Sequence, residues 1–393
     1  MTMPFDTTVL LPGTARPQLV MQRGQGSWLW DHRDKRYLDF VQGWAVNCLG
    51  HCPEVVQRAL SEQASTLINA SPAFYTLPQL ALATELTRCS GLEHAFFCSS
   101  GAEANEGAIK LARKWGQLHR RGAFEIVATH GSFHGRTLAT MAASGKPGFA
   151  RVFPPGMPGF VHVPFGSVTA LEQALTDRTV AVMVEPIQGE GGVQVPPPDY
   201  LRTLRELTEA RGVLLIVDEI QTGMGRTGRL FACEHAGVIP DILTLGKGLG
   251  GGMPLAAMLS RRAVSCFAPG DQGGTFTGHP VGCAVGLAVL RALTADGFLE
   301  HVRVAGAHLA QGLRALAAVY GGCGVRGAGL LWALGLPADV GSAVVTAALA
   351  EGLLINSPQP ALLRFMPALN VTLDEIDSML LLLERALRSV LAA

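Results

Sequence analysis

The strongest constraint on the fold is a series of short, almost wholly apolar segments that alternate with helical ones. Four of the apolar segments predict strands: 94–98, 124–129, 179–184 and 213–217. Two intervening segments predict helices: 102–121 and 199–211. Strands without a polar face are typical of a parallel sheet that helices cover on both sides. We therefore expect an α/β fold built on a mainly parallel sheet.

Ligands of open parallel sheets bind beyond the carboxyl ends of the strands. The segments that follow the predicted strands carry polar side chains or glycine: 99–102, 129–131, 185–186, 218–219 and 247. Because these ends meet at one edge of the sheet, we expect a single functional site there.

Length and composition set the domain organisation. The chain has 393 residues, of which 48% are hydrophobic, enough for two domains with large cores. We expect an N-terminal arm over 1–45, a large domain over 46–290, and a small domain in which 291–393 joins the arm. Lys plus Arg and Asp plus Glu number 31 each, so no electrostatic argument favours nucleic acid or an anionic membrane as a partner.

The eight cysteines are scattered, without a Cys-x-x-Cys pair or zinc-like spacing. This pattern predicts reduced thiols in a cytoplasmic protein and no metal site. We expect neither a signal peptide nor a membrane span, because the sequence has no basic segment leading into an apolar run and no apolar run of about 18 residues.

Lys247 follows the apolar segment 240–245 and is surrounded by glycines within 244–254. Partial desolvation at the end of a buried strand lowers the pKa of an amine and makes it a nucleophile toward a carbonyl. The glycines would let a planar group approach the backbone. The stretch thus suits a Schiff base to an aldehyde cofactor, although a surface lysine in a flexible loop would have the same local sequence.

Two further strand ends suit the same cofactor. Asp218 ends an apolar strand, where a carboxylate is costly unless it meets a cation such as a protonated pyridine nitrogen. Residues 99–105 open a helix whose free N–H groups favour a phosphate. The alternatives are a structural ion pair or helix cap for Asp218, and ordinary N-capping by Ser100.

Three charged residues could contact a substrate. In the loop 133–136, Phe133 could cover a cofactor ring and Arg136 could bind a carboxylate, although isolated loop residues of these types are more often structural. Glu190 lies in a glycine turn, where a surface position is the alternative. Arg364 lies within an apolar run and needs an anion.

Two glycine-rich segments match G-x-G-x-x-G, at 223–228 and 246–251. Neither opens a helix after a strand, so we consider a nicotinamide-binding site improbable. A third glycine-rich segment, 273–278, could offer Thr275 to a phosphate or could be a plain turn.

Together, these motifs resemble those of the class III pyridoxal-phosphate-dependent aminotransferases, and most closely their acetylornithine/ornithine branch. The similarity covers nearly the whole chain. Its motifs lie at 100–106, 133–137, 184–190, 218–223 and around Lys247. The resemblance implies the fold-type I architecture of pyridoxal enzymes and pyridoxal 5'-phosphate as cofactor.

The resemblance also implies a role for each residue around the cofactor ring. Lys247 would carry the cofactor and act as catalytic base, and Asp218 would pair with the ring nitrogen. Gln221 would contact the ring hydroxyl, and Phe133 would stack on the ring.

At the phosphate, the resemblance implies binding by the backbone N–H groups of Gly101 and Ala102. Thr275 would reach the same phosphate from a second subunit. The resemblance therefore implies a homodimer with shared active sites.

For the substrate, the resemblance assigns the α-carboxylate to Arg136. Glu190 and Arg364 would form a gate that parts when a second carboxylate, that of glutamate, needs Arg364. Gly274 stands where the family usually has serine or threonine, which removes a possible contact to the substrate. The sequence also departs from the family at 50–53, which is one residue short, and at 277–279.

The implied reaction is transfer of the terminal amine of N2-acetyl-L-ornithine to 2-oxoglutarate, a step of arginine biosynthesis. Ornithine, succinylornithine, succinyl-diaminopimelate and 4-aminobutyrate remain alternative donors. A pyridoxal-dependent aminomutase and a non-catalytic pyridoxal-binding protein are the alternative classes. The gate argues against the aminomutase, which would bind no second carboxylate.

Overall fold

The structure, a computed structural model, describes residues 6–391. Its strands are β1 (Met21–Gln25), β2 (Trp28–Asp31), β3 (Arg36–Asp39), β4 (His94–Cys98), β5 (Glu125–Thr129), β6 (Phe160–Val163), β7 (Thr179–Val184), β8 (Leu214–Asp218), β9 (Ile242–Leu245), β10 (Ala256–Ser260), β11 (Val325–Ala328), β12 (Leu331–Gly335), β13 (Leu353–Leu354), β14 (Asn356–Gln359) and β15 (Leu362–Phe365). Its α-helices are α1 (Gln42–Ala45), α2 (Glu54–Thr66), α3 (Leu77–Ser90), α4 (Gly101–His119), α5 (Leu138–Ala143), α6 (Phe149–Val152), α7 (Val168–Ala174), α8 (Tyr200–Ala210), α9 (Pro280–Leu293), α10 (Phe298–Val319), α11 (Gly341–Glu351) and α12 (Leu373–Leu391). Three short 3₁₀ helices span Ala232–Ala236, Lys247–Gly250 and Arg262–Val264.

A seven-stranded sheet with the order β4-β10-β9-β8-β7-β5-β6 forms the centre of the fold. All neighbouring strands are parallel except at β10, which is antiparallel to both β4 and β9. The expected α/β class with a mainly parallel sheet is therefore confirmed. Strands β6 and β10 were not predicted from the sequence.

The central strands are buried on both faces, as their apolar sequences predict. Successive side chains of a strand point to opposite faces, so Val182 and Leu215 belong to one core, and Met183 and Ile216 to the other. α4 covers the second core, with Ile109 fully buried, while α8 and α9 pack on the first. Most predicted element boundaries agree to within two residues.

Two smaller sheets join distant parts of the chain. The sheet β1-β2-β3-β13 pairs the N-terminal hairpin with β13, where Leu38 lies opposite Leu353 in parallel. The sheet β11-β12-β15-β14 is antiparallel and carries Arg364 on β15. Arg364 thus belongs to a sheet formed by the C-terminal part of the chain.

Candidate active site

A cavity of about 280 Å³ lies beyond the carboxyl ends of the central strands. Eight residues singled out in the sequence line it: Gly101, Ala102, Phe133, Arg136, Glu190, Asp218, Gln221 and Lys247. A larger cavity of about 660 Å³ between α2, α3 and α9 contains none of them, and most of its lining is apolar. The smaller cavity brings together the buried ionisable side chains of Lys247, Asp218 and Glu185, so we assign the chemistry to it.

Lys247 opens the 3₁₀ helix that follows β9 and has a left-handed backbone, with φ +44°. This conformation is uncommon for a residue with a side chain and recurs at functional sites. The amine lines the cavity and donates no hydrogen bond within residues 6–391. Burial lowers the pKa of Lys247, although the charges of Glu190 and Asp218 oppose the change. A lowered pKa makes the amine a better nucleophile and proton acceptor.

Asp218 is the last residue of β8 and its carboxylate is nearly fully buried. Oδ2 accepts hydrogen bonds from Asn105 Nδ2 at 2.8 Å and is 2.7 Å from His134 Nδ1. Oδ1 accepts the Ile220 N–H at 3.0 Å. Thr244 in turn donates to Asn105 Oδ1 at 2.7 Å, which fixes the orientation of the amide. The carboxylate is therefore held rigidly at the edge of the cavity.

Neither His134 nor Asn105 had a role predicted from the sequence. Burial alone would lower the pKa of His134, but the hydrogen bond and charge of Asp218 outweigh it, and the net shift is upward. An imidazole that holds its proton can donate it to Asp218 Oδ2 and so orient that carboxylate. The only sequence signal for His134 was its position between Phe133 and Arg136, which motif spacing alone does not convert into a contact with Asp218.

Glu185, directly after β7, is a second buried carboxylate that the sequence left without a role. It accepts the N–H of Phe133 at 3.0 Å and that of Gly189 at 3.3 Å, and so joins the loop carrying Phe133 to the turn carrying Glu190. Burial raises the pKa of Glu185 to about 7.

Glu190 and Arg364 form an ion pair of 2.7 Å beside Lys247. The Arg364 side chain is fully buried, whereas that of Glu190 is 24% exposed. Arg364 also donates to Gln221 Oε1 at 3.3 Å and to Asn356 Oδ1 at 3.2 Å. Burial would raise the pKa of Glu190, but Arg364 reverses this and lowers it. The carboxylate of Glu190 is therefore ionised at neutral pH.

Phe133 and Arg136 also line the cavity and belong to the loop between β5 and α5. Arg136 is exposed, and its guanidinium carbon lies 5.8 Å from the centre of the Phe133 ring. No carboxylate pairs with Arg136 within residues 6–391. It is therefore available to an anion that enters the cavity.

The N-terminus of α4 forms one end of the cavity. Ser100 caps the helix by accepting the Glu103 N–H at 3.3 Å, while Gly101 and Ala102 line the cavity. A side chain at position 101 would lie 2.7 Å from Ile220 Cδ1, so glycine allows this close approach. First-turn N–H groups lack intrahelical acceptors and suit a phosphate. Capping by Ser100 and a phosphate site are thus compatible.

Gly274 and Thr275 do not line the cavity of their own chain. They lie in a separate cavity of about 420 Å³ with Ser99 and Glu103. Arg364 does not itself line the cavity, but it donates hydrogen bonds to two residues that do, Glu190 and Gln221. Of the predicted site residues, only Gly274 and Thr275 are therefore away from the cavity and its first neighbours.

Residues 12–387 match the family described as Aminotransferase class-III. Since the match spans nearly the whole chain, the chain belongs to the class III aminotransferases, enzymes that depend on pyridoxal 5'-phosphate. This confirms the resemblance found in the sequence and the fold-type I architecture.

Relatives of known function point in the same direction. The chain is 54% identical to acetylornithine aminotransferase 2 of Bordetella bronchiseptica over 389 residues, 98% of each chain. Among solved structures, N-acetylornithine aminotransferase of Stenotrophomonas maltophilia is 37% identical, with a TM-score of 0.85 over 96% of this chain and 97% of that one. An ornithine aminotransferase of Toxoplasma gondii, described with partial occupancy of pyridoxal phosphate at its active site, is 34% identical, with a TM-score of 0.92 over 97% and 92%.

The residues around the cavity fit this cofactor. A buried carboxylate, Asp218, faces the cavity with rigid support and suits a cationic ring nitrogen. An amine without a hydrogen bond, that of Lys247, suits an aldehyde carbon, and the N-terminus of α4 suits a phosphate. A side chain at position 189 would overlap Gln221 Oε1, so Gly189 leaves that amide free to lie in the cavity.

Proposed function

We propose that this protein transfers the terminal amine of N2-acetyl-L-ornithine to 2-oxoglutarate, giving N-acetyl-L-glutamate 5-semialdehyde and L-glutamate in arginine biosynthesis. The observation that carries the proposal is the Glu190–Arg364 ion pair beside Lys247, in a cavity that Arg136 also lines without pairing with a carboxylate of residues 6–391. The relative named acetylornithine aminotransferase 2, 54% identical over nearly the full length, supports the choice of donor.

Pyridoxal phosphate bound in the cavity would supply the electron sink for the carbon that loses a proton. Lys247 is the only lysine that lines the cavity within residues 6–391, and its lowered pKa suits a base that accepts this proton and returns it to the former aldehyde carbon of the cofactor. Asp218, held by His134 and Asn105, would pair with a protonated ring nitrogen. Phe133 would cover one face of the ring.

Whether the Glu190–Arg364 pair separates depends on whether the reacting carbon of the substrate carries a carboxylate. The donor is held at its far end, because Arg136 binds the α-carboxylate while the terminal amine points to Lys247. Arg364 donates to Gln221, which lines the cavity, so its guanidinium would be available to a carboxylate on the reacting carbon. In glutamate the reacting carbon carries a carboxylate, so Glu190 must leave Arg364. In acetylornithine that carbon carries hydrogen in place of a carboxylate, and the Glu190–Arg364 pair stays closed.

The test is kcat/KM for five donors measured side by side: N-acetyl-L-ornithine, L-ornithine, N-succinyl-L-ornithine, N-succinyl-diaminopimelate and 4-aminobutyrate. We expect acetylornithine to be among the best two. A hundredfold preference corresponds to about 2.7 kcal/mol of transition-state binding. If acetylornithine ranks below the second place, the assignment of the donor is refuted, while amine transfer itself would stand.

We also propose a homodimer in which Thr275 and Gly274 complete the cavity of the partner subunit. Thr275 lies outside its own cavity, near the N-terminus of α4. Exposed apolar side chains, including Phe74, Tyr75 and Leu77, flank the cavity between α2, α3 and α9 and suit burial against a second copy. Sedimentation that finds an active monomer would refute this arrangement.

We further propose the division into an arm over 1–45, a large domain over 46–290 and a small domain over 291–393. The pairing of Leu38 with Leu353 supports joining the arm to the small domain. Within residues 6–391, no single helix has both the length and the apolar composition needed to cross a membrane, although α9 and α10 together, bent by 71°, would pass such a test. A cytoplasmic location is proposed because the cysteines are free, including the buried Cys48 and Cys233.

A further inference from the structure

Lys146 lies beside the two residues that line the outer side of the cavity, Phe133 and Arg136. Its amine is 5.6 Å from the centre of the Phe133 ring and 5.8 Å from that of Phe149. The guanidinium carbon of Arg136 is 5.8 Å and 5.9 Å from the same two rings. The two rings are 6.2 Å apart and inclined by 66°. Two cations therefore share one pair of aromatic rings at the cavity.

The backbone next to Lys146 is anchored to the loop that carries Phe133. Gly145 donates to Ser132 Oγ at 3.0 Å and accepts the Gly131 N–H at 2.9 Å. Ser144 Oγ accepts the N–H of His134 at 2.8 Å. Lys146 is thus held at a fixed position relative to Phe133, even though its side chain is long and flexible.

Neither cation has an anionic partner in the described part of the chain. Lys146 is half-buried, and its amine makes neither an ion pair nor a hydrogen bond within residues 6–391. Contacts with ring faces position an amine but leave its N–H groups available. Burial would raise the pKa of Glu190, whereas Arg364 and, more weakly, Lys247 and Lys146 lower it, so the charge of Lys146 is felt inside the cavity.

We propose that Lys146 is a second cation of the substrate site, which together with Arg136 binds the substrate carboxylate farthest from the reacting carbon. In acetylornithine this is the α-carboxylate, and in 2-oxoglutarate it is the carboxylate at the end opposite the oxo group. The same anion position is therefore filled in both halves of the reaction. Arg364 differs, because it binds a carboxylate in only one half. The inference rests on the proposed function.

The experiment compares Lys146→Gln and Lys146→Arg in the cofactor-loaded enzyme. Each is assayed with N-acetyl-L-ornithine and with N-acetylputrescine, which is the same chain without the carboxylate. We expect Lys146→Gln to raise KM for acetylornithine and for 2-oxoglutarate about tenfold, with kcat changed less than about twofold, because uniform binding is lost. N-acetylputrescine should be unaffected. Lys146→Arg should stay near wild type.

Lys35→Gln is the matched control. Its amine lies 5.1 Å from the Tyr37 ring and donates to the Ala350 carbonyl, outside the cavity. It should leave every constant unchanged. If Lys146→Gln alters neither substrate, or alters N-acetylputrescine as much as acetylornithine, then Lys146 does not bind the carboxylate and the inference is overturned.

A binding measurement separates this inference from the proposed function. Glutarate carries both carboxylates of 2-oxoglutarate but cannot react, and its dissociation constant can be followed through the cofactor absorbance. Lys146→Gln should weaken glutarate binding about tenfold. If wild type does not use acetylornithine, the proposed donor fails, while an unchanged glutarate constant would independently overturn the role of Lys146.

Discussion

Replacing Glu190 by Gln should leave Arg364 free to bind a substrate carboxylate without first breaking an ion pair. In the present structure Arg364 is fully buried and its strongest contact is Glu190 Oε1 at 2.7 Å. Its remaining contacts are the neutral oxygens of Asn356 and Gln221. The variant therefore leaves a buried cation without a counter-charge, which a carboxylate of glutamate or 2-oxoglutarate can supply.

The magnitude follows from the exposure of the pair. Breaking a fully buried pair costs about 3–5 kcal/mol, and an exposed pair contributes about 0–1 kcal/mol. With Glu190 24% exposed, we take about 2 kcal/mol as the penalty that a dicarboxylate no longer has to overcome. This corresponds to about a thirtyfold decrease in KM for 2-oxoglutarate.

The assay is the half-reaction of the amino form of the enzyme with 2-oxoglutarate, together with inhibition by glutarate. The KM for 2-oxoglutarate and the inhibition constant of glutarate should both fall. The ratio of kcat/KM for acetylornithine to that for glutamate should also fall. Glu172→Gln is the control, because Glu172 pairs with Arg211 at the same 2.7 Å but both side chains are about half exposed. Unchanged or weaker binding of 2-oxoglutarate by Glu190→Gln would refute the gate.

Three further variants test other parts of the site. Lys247→Ala should still bind pyridoxal phosphate, yet it should lose the absorbance of covalently held cofactor and nearly all turnover; normal turnover would exclude Lys247 as the base. Asp218→Ala should lose several orders of magnitude in kcat, and a loss of under about tenfold, ~1.4 kcal/mol, would contradict pairing with the ring nitrogen. Burial raises the pKa of Glu185 from 4.5 to about 7. The folded protein freed of cofactor therefore keeps a proton that the unfolded chain loses, so its free energy of unfolding should decrease between about pH 4.5 and 7 by up to about 3 kcal/mol more than that of Glu185→Gln. Urea unfolding of both proteins across this pH range tests the expectation. If the free energy of unfolding changes equally with pH in both, the raised pKa of Glu185 is contradicted.

The positions at the strand ends could be predicted from sequence because one physical rule governs them. Apolar strands identify themselves by composition, and in a parallel sheet their carboxyl ends converge. Asp218 and Lys247 follow adjacent strands, so their proximity requires no knowledge of loop structure. The polar character of Asp218 after five apolar residues was itself a signal, since a buried carboxylate needs a partner.

The supporting residues could not be predicted in the same way, because their contacts join segments far apart in sequence. Asn105 reaches Asp218 across 113 positions, and Glu185 reaches Phe133 across 52. Lys146 looks like a loop lysine until the Ser132–Gly145 contact brings it beside Phe133. Strand β10 was also missed, and its apolar sequence would not have shown that it runs antiparallel to its neighbours.

The most direct test of the account is the stoichiometry of the complete reaction. Purified enzyme loaded with pyridoxal phosphate is incubated with N-acetyl-L-ornithine and 2-oxoglutarate, and all four reactants and products are quantified over time. We expect one L-glutamate and one N-acetyl-L-glutamate 5-semialdehyde for each molecule of donor and of 2-oxoglutarate consumed. Consumption of the donor without matching loss of 2-oxoglutarate would indicate an internal amine shift or another reaction, and would contradict amine transfer at this site.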